Sequence, residues 1–281
     1  MRQGFNFIAV WVLSLCAAPL ASAANRLVTL GGPVTEIVYA LGHGDEVIAT
    51  DQSSTYPAAA AELPQVGYIR AISAEGVLAQ EPDLILATDD LGPPAAAEQL
   101  AQGGVELVQI PTPRDRETLY AAIRAVAEVL GEEANAAEMI KGISQDFAEA
   151  AKIGNGHEAP RVVFLLAHFG GGRAAGRGTM GDGMLQLAGG QNVFGDFEGY
   201  KQVSEEAVLQ ENPDFVLVGV MPGMEDASRD RLLATVNLPT LAELPVEVVP
   251  LEISYYLSFG PRAGKAARDM AEMLYETSDT E

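Results

Sequence analysis

The segment SAEGVLAQEPDLIL at residues 73–86 recurs at residues 204–217 as SEEAVLQENPDFVL. Both copies read Ser-x-Glu-x-Val-Leu, then Pro-Asp, then a short apolar run. The Pro-Asp step ends the helical pattern and opens a turn. The apolar run after it has the length of a buried strand. A chain that carries this helix–turn–strand unit twice is constrained to two similar halves. The flanking patterns agree. The first half reads as strand RLVTLGG, helix VTEIVYALG, strand EVIATD, the repeat, helix PAAAEQLAQGG and strand VELVQIP. The second reads as strand RVVFLLAHF, helix TMGDGMLQLAGG, strand QNVFGD, the repeat, strand VEVVPLE and helix PRAGKAARDMAEMLYE. Strands alternating with helices predict mostly parallel sheets with helices on their faces.

Between the halves, Leu119, Ile123, Val126 and Leu130 share one helical face, and Gly131 breaks that helix. The helical pattern resumes from Glu132 to Lys152. This second helix is about 30 Å long and reads as a strut, not a flexible linker. The expected fold class is therefore α/β: two α/β lobes with mostly parallel sheets, joined by a long rigid connecting helix. The expected divisions are an N-terminal lobe at 24–131, the connecting helix at 132–153 and a C-terminal lobe at 154–281. With 281 residues, 48% of them hydrophobic, the chain can fill two modest cores.

Residues 1–23 read as a signal peptide. Arg2 is followed by an apolar run from Phe5 to Ala18, then by Ala21-Ser22-Ala23, a small-x-small cleavage pattern. The only cysteine, Cys16, lies in this segment, and Leu15 before it is too large for a lipoprotein cleavage box. The mature chain then has no disulfide and no thiolate metal site. The expected product is exported, and in a bacterium with two membranes it is periplasmic. The net charge of −22 argues against a nucleic-acid partner, which requires a basic face.

Two α/β lobes, a signal peptide, one long connecting helix and paired S-x-E-x-V-L…P-D segments resemble the periplasmic solute-binding proteins that feed ATP-binding-cassette importers for haem, cobalamin and iron siderophores. The resemblance covers the mature chain from RLVTLGGPVTEIVYALG to FGPRAGKAARDMAEML. Within that class, LPQVGYIRAISAEGVLAQEPDLIL at residues 63–86 is similar to the haem-binding branch, where a V-G-Y-x-R-x-x-x-x-E-G pattern recurs and its tyrosine ligates haem iron. The resemblance implies that Tyr68 is the iron ligand. Ferric iron is a hard cation that suits an anionic oxygen, and tyrosine is a known axial ligand of haem. The phenol must lose its proton to serve, and Arg70, two residues on, is placed to be the cation that favours this. The alternative for Tyr68 is a packing role at a loop edge.

His168 ends a strand pattern before a glycine-rich segment, at the ligand edge of an open α/β sheet. The resemblance makes it a candidate second axial ligand, although Phe169 separates it from the glycines. It reads equally as a histidine bonded to backbone at a strand end. His43, in a helix-terminating turn, and His157, in the polar segment IGNGHEAP, are weaker candidates. GGRAAGRG falls short of a phosphate-binding loop, with Arg177 and Gly178 where Lys and Ser/Thr belong. Arg173 and Arg177 instead offer two cations for the haem propionates, or are solvated surface charges. In LEISYYLSFGPR, Tyr255, Tyr256 and Arg262 are candidates to line the ligand pocket. The tyrosines read equally as core at the lobe junction. Glu75 and Glu206 hold the same place in the two copies of the repeat. The resemblance makes them the pair that docks on arginines of the ABC permease, which acts with its ATPase. A carboxylate near a helix start is also favoured by the helix dipole alone.

The function these features imply is capture of haem between the lobes by a monomer with no catalytic role. A ferric-siderophore or cobalamin carrier shares the fold. An exported hydrolase is a rival from another class, but no G-x-S-x-G elbow is present. The scattered histidines give no obvious site for a zinc or manganese carrier.

Overall fold

The computed structural model describes residues 26–168, 171–243 and 245–276. The expected signal peptide lies outside them. In chain order the elements are β1 (Leu27–Leu30), α1 (Gly32–Ala40), β2 (Val47–Thr50), α2 (Ala58–Ala61), α3 (Ala74–Leu78), β3 (Leu84–Thr88), α4 (Pro94–Gln102) and β4 (Glu106–Ile110). The central helices α5 (Arg116–Leu130) and α6 (Glu133–Ile153) follow. Then come β5 (Arg161–His168), β6 (Gly171–Ala175), α7 (Met180–Ala188), β7 (Gln191–Asn192), β8 (Tyr200–Gln202), α8 (Glu205–Glu211) and β9 (Phe215–Val220). The chain continues through α9 (Arg229–Thr235), β10 (Glu247–Glu252), α10 (Ile253–Tyr256) and α11 (Ala263–Glu276).

The first sheet has the order β2-β1-β3-β4 and is parallel throughout. The second has the order β10-β9-β5-β6-β8, with β7 beside β5. Its β5, β7, β9 and β10 are parallel; β6 runs against them, and β8, antiparallel to β6, again runs with them. This differs from the sequence reading in one respect. The glycine-rich segment after His168 is not an open loop: it returns as β6, with Leu165 opposite Ala174. Glycine content hid the strand, because strand patterning depends on side chains that alternate between faces.

The repeat is a structural repeat with matching closures. Ser73 and Ser204 cap α3 and α8, accepting the N–H groups of Gly76 and Ala207. Glu81 and Asn212 then take left-handed conformations, φ 51° and 44°, which turn the chain before each proline. Arg26 donates to the carbonyls of Gln80 and Glu81, and Arg161 to that of Glu211. An arginine thus satisfies the carbonyls freed at each helix end.

The lobes are not independent units. One apolar core takes Leu27, Leu84 and Leu86 from the first sheet and Val162, Phe164, Phe215 and Leu217 from the second. Phe147 and Ile143 of α6 and Met270 and Leu274 of α11 join them. The connecting helix is therefore packed into the core along one face. At Gly264 of α11 an added Cβ would meet Asp146 Cβ at 2.7 Å and the Ile143 carbonyl at 3.0 Å, so glycine sets this close helix crossing.

Candidate ligand-binding site

Parallel strands place all their C-terminal ends on one edge, and the crossovers put the helix N-termini there too. The C-terminal edges of the two sheets meet along a seam. Glu36 of α1 is buried, and its carboxylate accepts two hydrogen bonds from Arg262, at 2.8 and 2.9 Å, and one from Ser258 at 2.5 Å. Arg262 also donates to the Ser254 carbonyl at 2.8 Å and stacks on the ring of Tyr56 at 3.7 Å. The Arg114 carbonyl, beyond β4, touches the place a side chain would take at Gly183 of α7. Four large apolar or aromatic side chains are exposed among the described residues: Tyr56, Tyr68, Leu209 and Met221. Three of them, Tyr56, Tyr68 and Met221, stand in segments at these edges.

Tyr68 caps a short 3₁₀ turn, Ile69–Ala71. Ile69 and Ile72 are buried in the apolar cluster on the outer face of the first sheet. Gly92 pairs with this turn, donating to the Ile69 carbonyl and accepting from the Ile72 N–H. These anchors leave Tyr68 43% exposed. Arg70 Nη1 lies 3.5 Å from the Tyr68 hydroxyl. The two side chains meet because the backbone turns, whereas an extended segment would have been the simpler route. Arg70 Nε and Nη2 both donate to Asp90 Oδ2, at 3.1 and 2.8 Å. Burial works to lower the Arg70 pKa, but the hydrogen bond and charge of Asp90, with Tyr68, raise it overall. The charge of Arg70 also reaches Tyr200 of β8 in the second sheet, so this corner faces the other lobe.

Tyr255 and Tyr256 are in a different electrostatic setting. Tyr255 donates to Asp269 at 2.7 Å, and its ring meets Tyr256 edge-on at 4.9 Å. Burial and then Asp269 push its phenol far above the ordinary value. Burial, Asp269 and Glu252 push Tyr256 up to about 12. Both are held as neutral phenols, suited to forming a wall and unsuited to ligating ferric iron. Both Tyr68 and Tyr255 have a cationic donor at the hydroxyl, Arg70 at 3.5 Å and Lys265 at 3.3 Å, but Tyr255 also has the Asp269 carboxylate there.

Arg262 is committed to Glu36, because a buried carboxylate must be paired. This pairing holds Arg262 at the seam, against the rings of Tyr56 and Tyr255. Arg173 is an exposed β6 residue that donates to the Tyr200 carbonyl at 2.7 Å. Arg177 is exposed and bridges to Glu198 through backbone. His168 is the last residue of β5. Glu75 and Glu206 are exposed in the first turns of α3 and α8, on the C-terminal edges of their sheets. Beside Glu206 lies a polar hollow of about 560 Å³, lined by Gln202, Ser204, Glu205, Glu206, Asn237 and Pro239.

A model of the family described as periplasmic binding protein matches residues 27–245. The chain belongs to the periplasmic binding protein family. This periplasmic binding protein is 33% identical to the haem-binding protein RhuT of Roseiflexus sp. RS-1, solved in apo form. That match has a TM-score of 0.83 and covers 91% of this chain and all of the other. It is 30% identical to a periplasmic haem-binding protein of Pseudomonas aeruginosa, with a TM-score of 0.82, over 90% of this chain and 94% of that one. It is also 28% identical to a vitamin B12-binding protein of Pectobacterium carotovorum, over 93% of this chain and 92% of that protein.

Sequence reasoning missed four residues of this region: Glu36, Tyr56, Asp90 and Met221. Asp90, in the pair TDD that follows β3, was the most accessible, since a strand's C-terminal edge is where polar site residues gather. Glu36 was hidden within an amphipathic helix pattern.

Proposed function

We propose that this periplasmic binding protein captures haem between the facing edges of its two sheets and delivers it to an ABC permease and ATPase for import. The observation that carries the reading is the exposed Tyr68 phenol with the Arg70 guanidinium at its oxygen, on the ligand edge. The phenolate is the form that binds ferric iron, a hard cation. The exposed Tyr56 and Met221 supply apolar contact for the porphyrin faces. Tyr255 and Tyr256 form a further wall, and Arg173 and Arg177 meet the propionates. His168, at the end of β5, is a candidate second axial ligand from the other lobe. Glu75 and Glu206 dock on the permease. The protein acts as an exported monomer without catalysis, after removal of residues 1–23. The shared core implies little closure of the lobes on binding.

The test is haemin titration followed at the Soret band. Tyr68→Ala loses most of the affinity, whereas His168→Ala loses less and alters the spectrum. A Tyr68→Ala protein with wild-type affinity and spectrum would sink the ligand assignment.

The second reading is cobalamin, favoured by the B12-binding relative that matches over nearly the whole chain. Under it, cyanocobalamin binds more tightly than haemin, Tyr68→Ala leaves that affinity intact, and no tyrosinate charge-transfer band forms.

A further inference from the structure

We propose that Asp90 is a positioning residue for this site: it fixes the Arg70 guanidinium at the Tyr68 oxygen and holds it back from the carboxylates of the ligand. The inference rests on the reading of Tyr68 as the iron ligand.

Arg70 is a poor candidate to hold itself in place. Its side chain is 59% exposed, and a free arginine loses much rotamer freedom when it is fixed in one geometry. Asp90 supplies the constraint. Nε and Nη2 occupy one edge of the planar guanidinium, and both donate to Oδ2 of Asp90. With that edge taken, Nη1 is left on the opposite side, where the Tyr68 hydroxyl lies.

Asp90 is itself held rigidly. Its other oxygen, Oδ1, accepts from Thr88 Oγ1 at 2.7 Å; Thr112 Oγ1, whose single proton goes chiefly to the closer Asp89 carboxylate, stands 3.2 Å away. Thr88 ends β3, and Thr112 follows β4. The end of β3, through Thr88, therefore sets the carboxylate, the carboxylate sets the guanidinium, and the guanidinium faces the phenol. Burial would raise the Asp90 pKa, but the bonds from Thr88, Arg70 and Thr112 and the charge of Arg70 bring it below the ordinary value. Asp90 is thus kept as the carboxylate that the arrangement requires.

The pairing has a second consequence. An unpaired arginine at a ligand edge is drawn to any carboxylate on the ligand. Arg70 already has a carboxylate on its bidentate edge, so its remaining donor serves the phenolate. The phenolate meets a partly neutralised cation, which orients its oxygen without strongly weakening it as an iron donor.

The experiment compares wild type with Asp90→Asn, Arg70→Ala, the double variant, Asp90→Glu and Tyr68→Phe, using haemin as the probe. Tyr68→Phe loses the tyrosinate-to-iron charge-transfer band. Asp90→Asn and Arg70→Ala each move that band to longer wavelength, because a phenolate without a donor at its oxygen gives up electron density more readily. Each weakens haemin binding by about 10-fold, the scale of one hydrogen bond to a charged group. The double variant is no weaker than Arg70→Ala alone, since Asp90 acts through Arg70. Asp90→Glu keeps the charge and recovers part of the band position. An Asp90→Asn protein with the wild-type band overturns the proposal, even if its melting temperature falls. Losses that multiply in the double variant overturn it too. If Tyr68→Phe keeps the band, the failure lies instead in the tyrosinate reading, and the two failures are told apart in one set of spectra.

Discussion

Arg262→Ala tests whether the seam between the lobes is held by a desolvated ion pair. Glu36 is 4% exposed at its side chain and Arg262 is 20% exposed. Removing the arginine leaves a buried carboxylate with Ser258 as its remaining donor. Breaking a buried pair from one side costs about 3–5 kcal/mol. A protein of this size loses about 2–4 °C of melting temperature per kcal/mol, so the fall is on the order of 10 °C. Glu36→Gln is milder. It removes the charge from the buried side, and Arg262 keeps the Ser254 carbonyl, the Tyr56 ring and access to water. Its cost is about 1–2 kcal/mol. The double variant Glu36→Leu/Arg262→Met returns to within about 1 kcal/mol of wild type, because it leaves no buried charge. The assay is urea unfolding followed by far-ultraviolet circular dichroism. Because one core joins both sheets, the transition is single and cooperative. The reasoning fails if Arg262→Ala stays within about 1 kcal/mol of wild type, or if Glu36→Gln costs more than Arg262→Ala.

Three further outcomes are expected. The double variant Glu75→Ala/Glu206→Ala binds haemin as wild type does but does not stimulate ATP hydrolysis by its reconstituted transporter; normal stimulation at both low and physiological salt would exclude a docking role. Tyr255→Phe retains the wild-type haemin charge-transfer band, because its phenol is held neutral as a donor to Asp269, and loss of that band in the titration would make Tyr255 an iron ligand. Asp90 has a folded pKa below its ordinary 3.8, so its stabilisation is complete above that value and is lost as pH falls through the lower folded value. Asp90→Asn should therefore flatten the fall in melting temperature on the acid side of 3.8 and leave its slope at neutral pH unchanged.

Much of the fold was legible because it is encoded locally. The repeat, the helix breaks at Gly131 and the Pro-Asp turns, and the alternation of strand and helix all depend on residues a few positions apart. Local backbone preference and side-chain periodicity act over that range. The Tyr68–Arg70 contact was legible because the two lie two residues apart, and the turn that brings them together is itself local. What the sequence did not decide was which charge meets which. Arg262 reads as a pocket-lining candidate beside two tyrosines, and nothing near it in sequence points to its partner Glu36, 226 positions away. Asp90 lies 20 positions from Arg70, and Thr112 22 from Asp90. Two tyrosines of similar appearance, Tyr68 and Tyr255, each meet a cation at the phenol oxygen, but only at Tyr255 does an aspartate reach it as well. Periodicity places a side chain on a face. The protonation and pairing of that side chain depend on burial and on charges within a few ångströms, and only the packing of distant segments sets those.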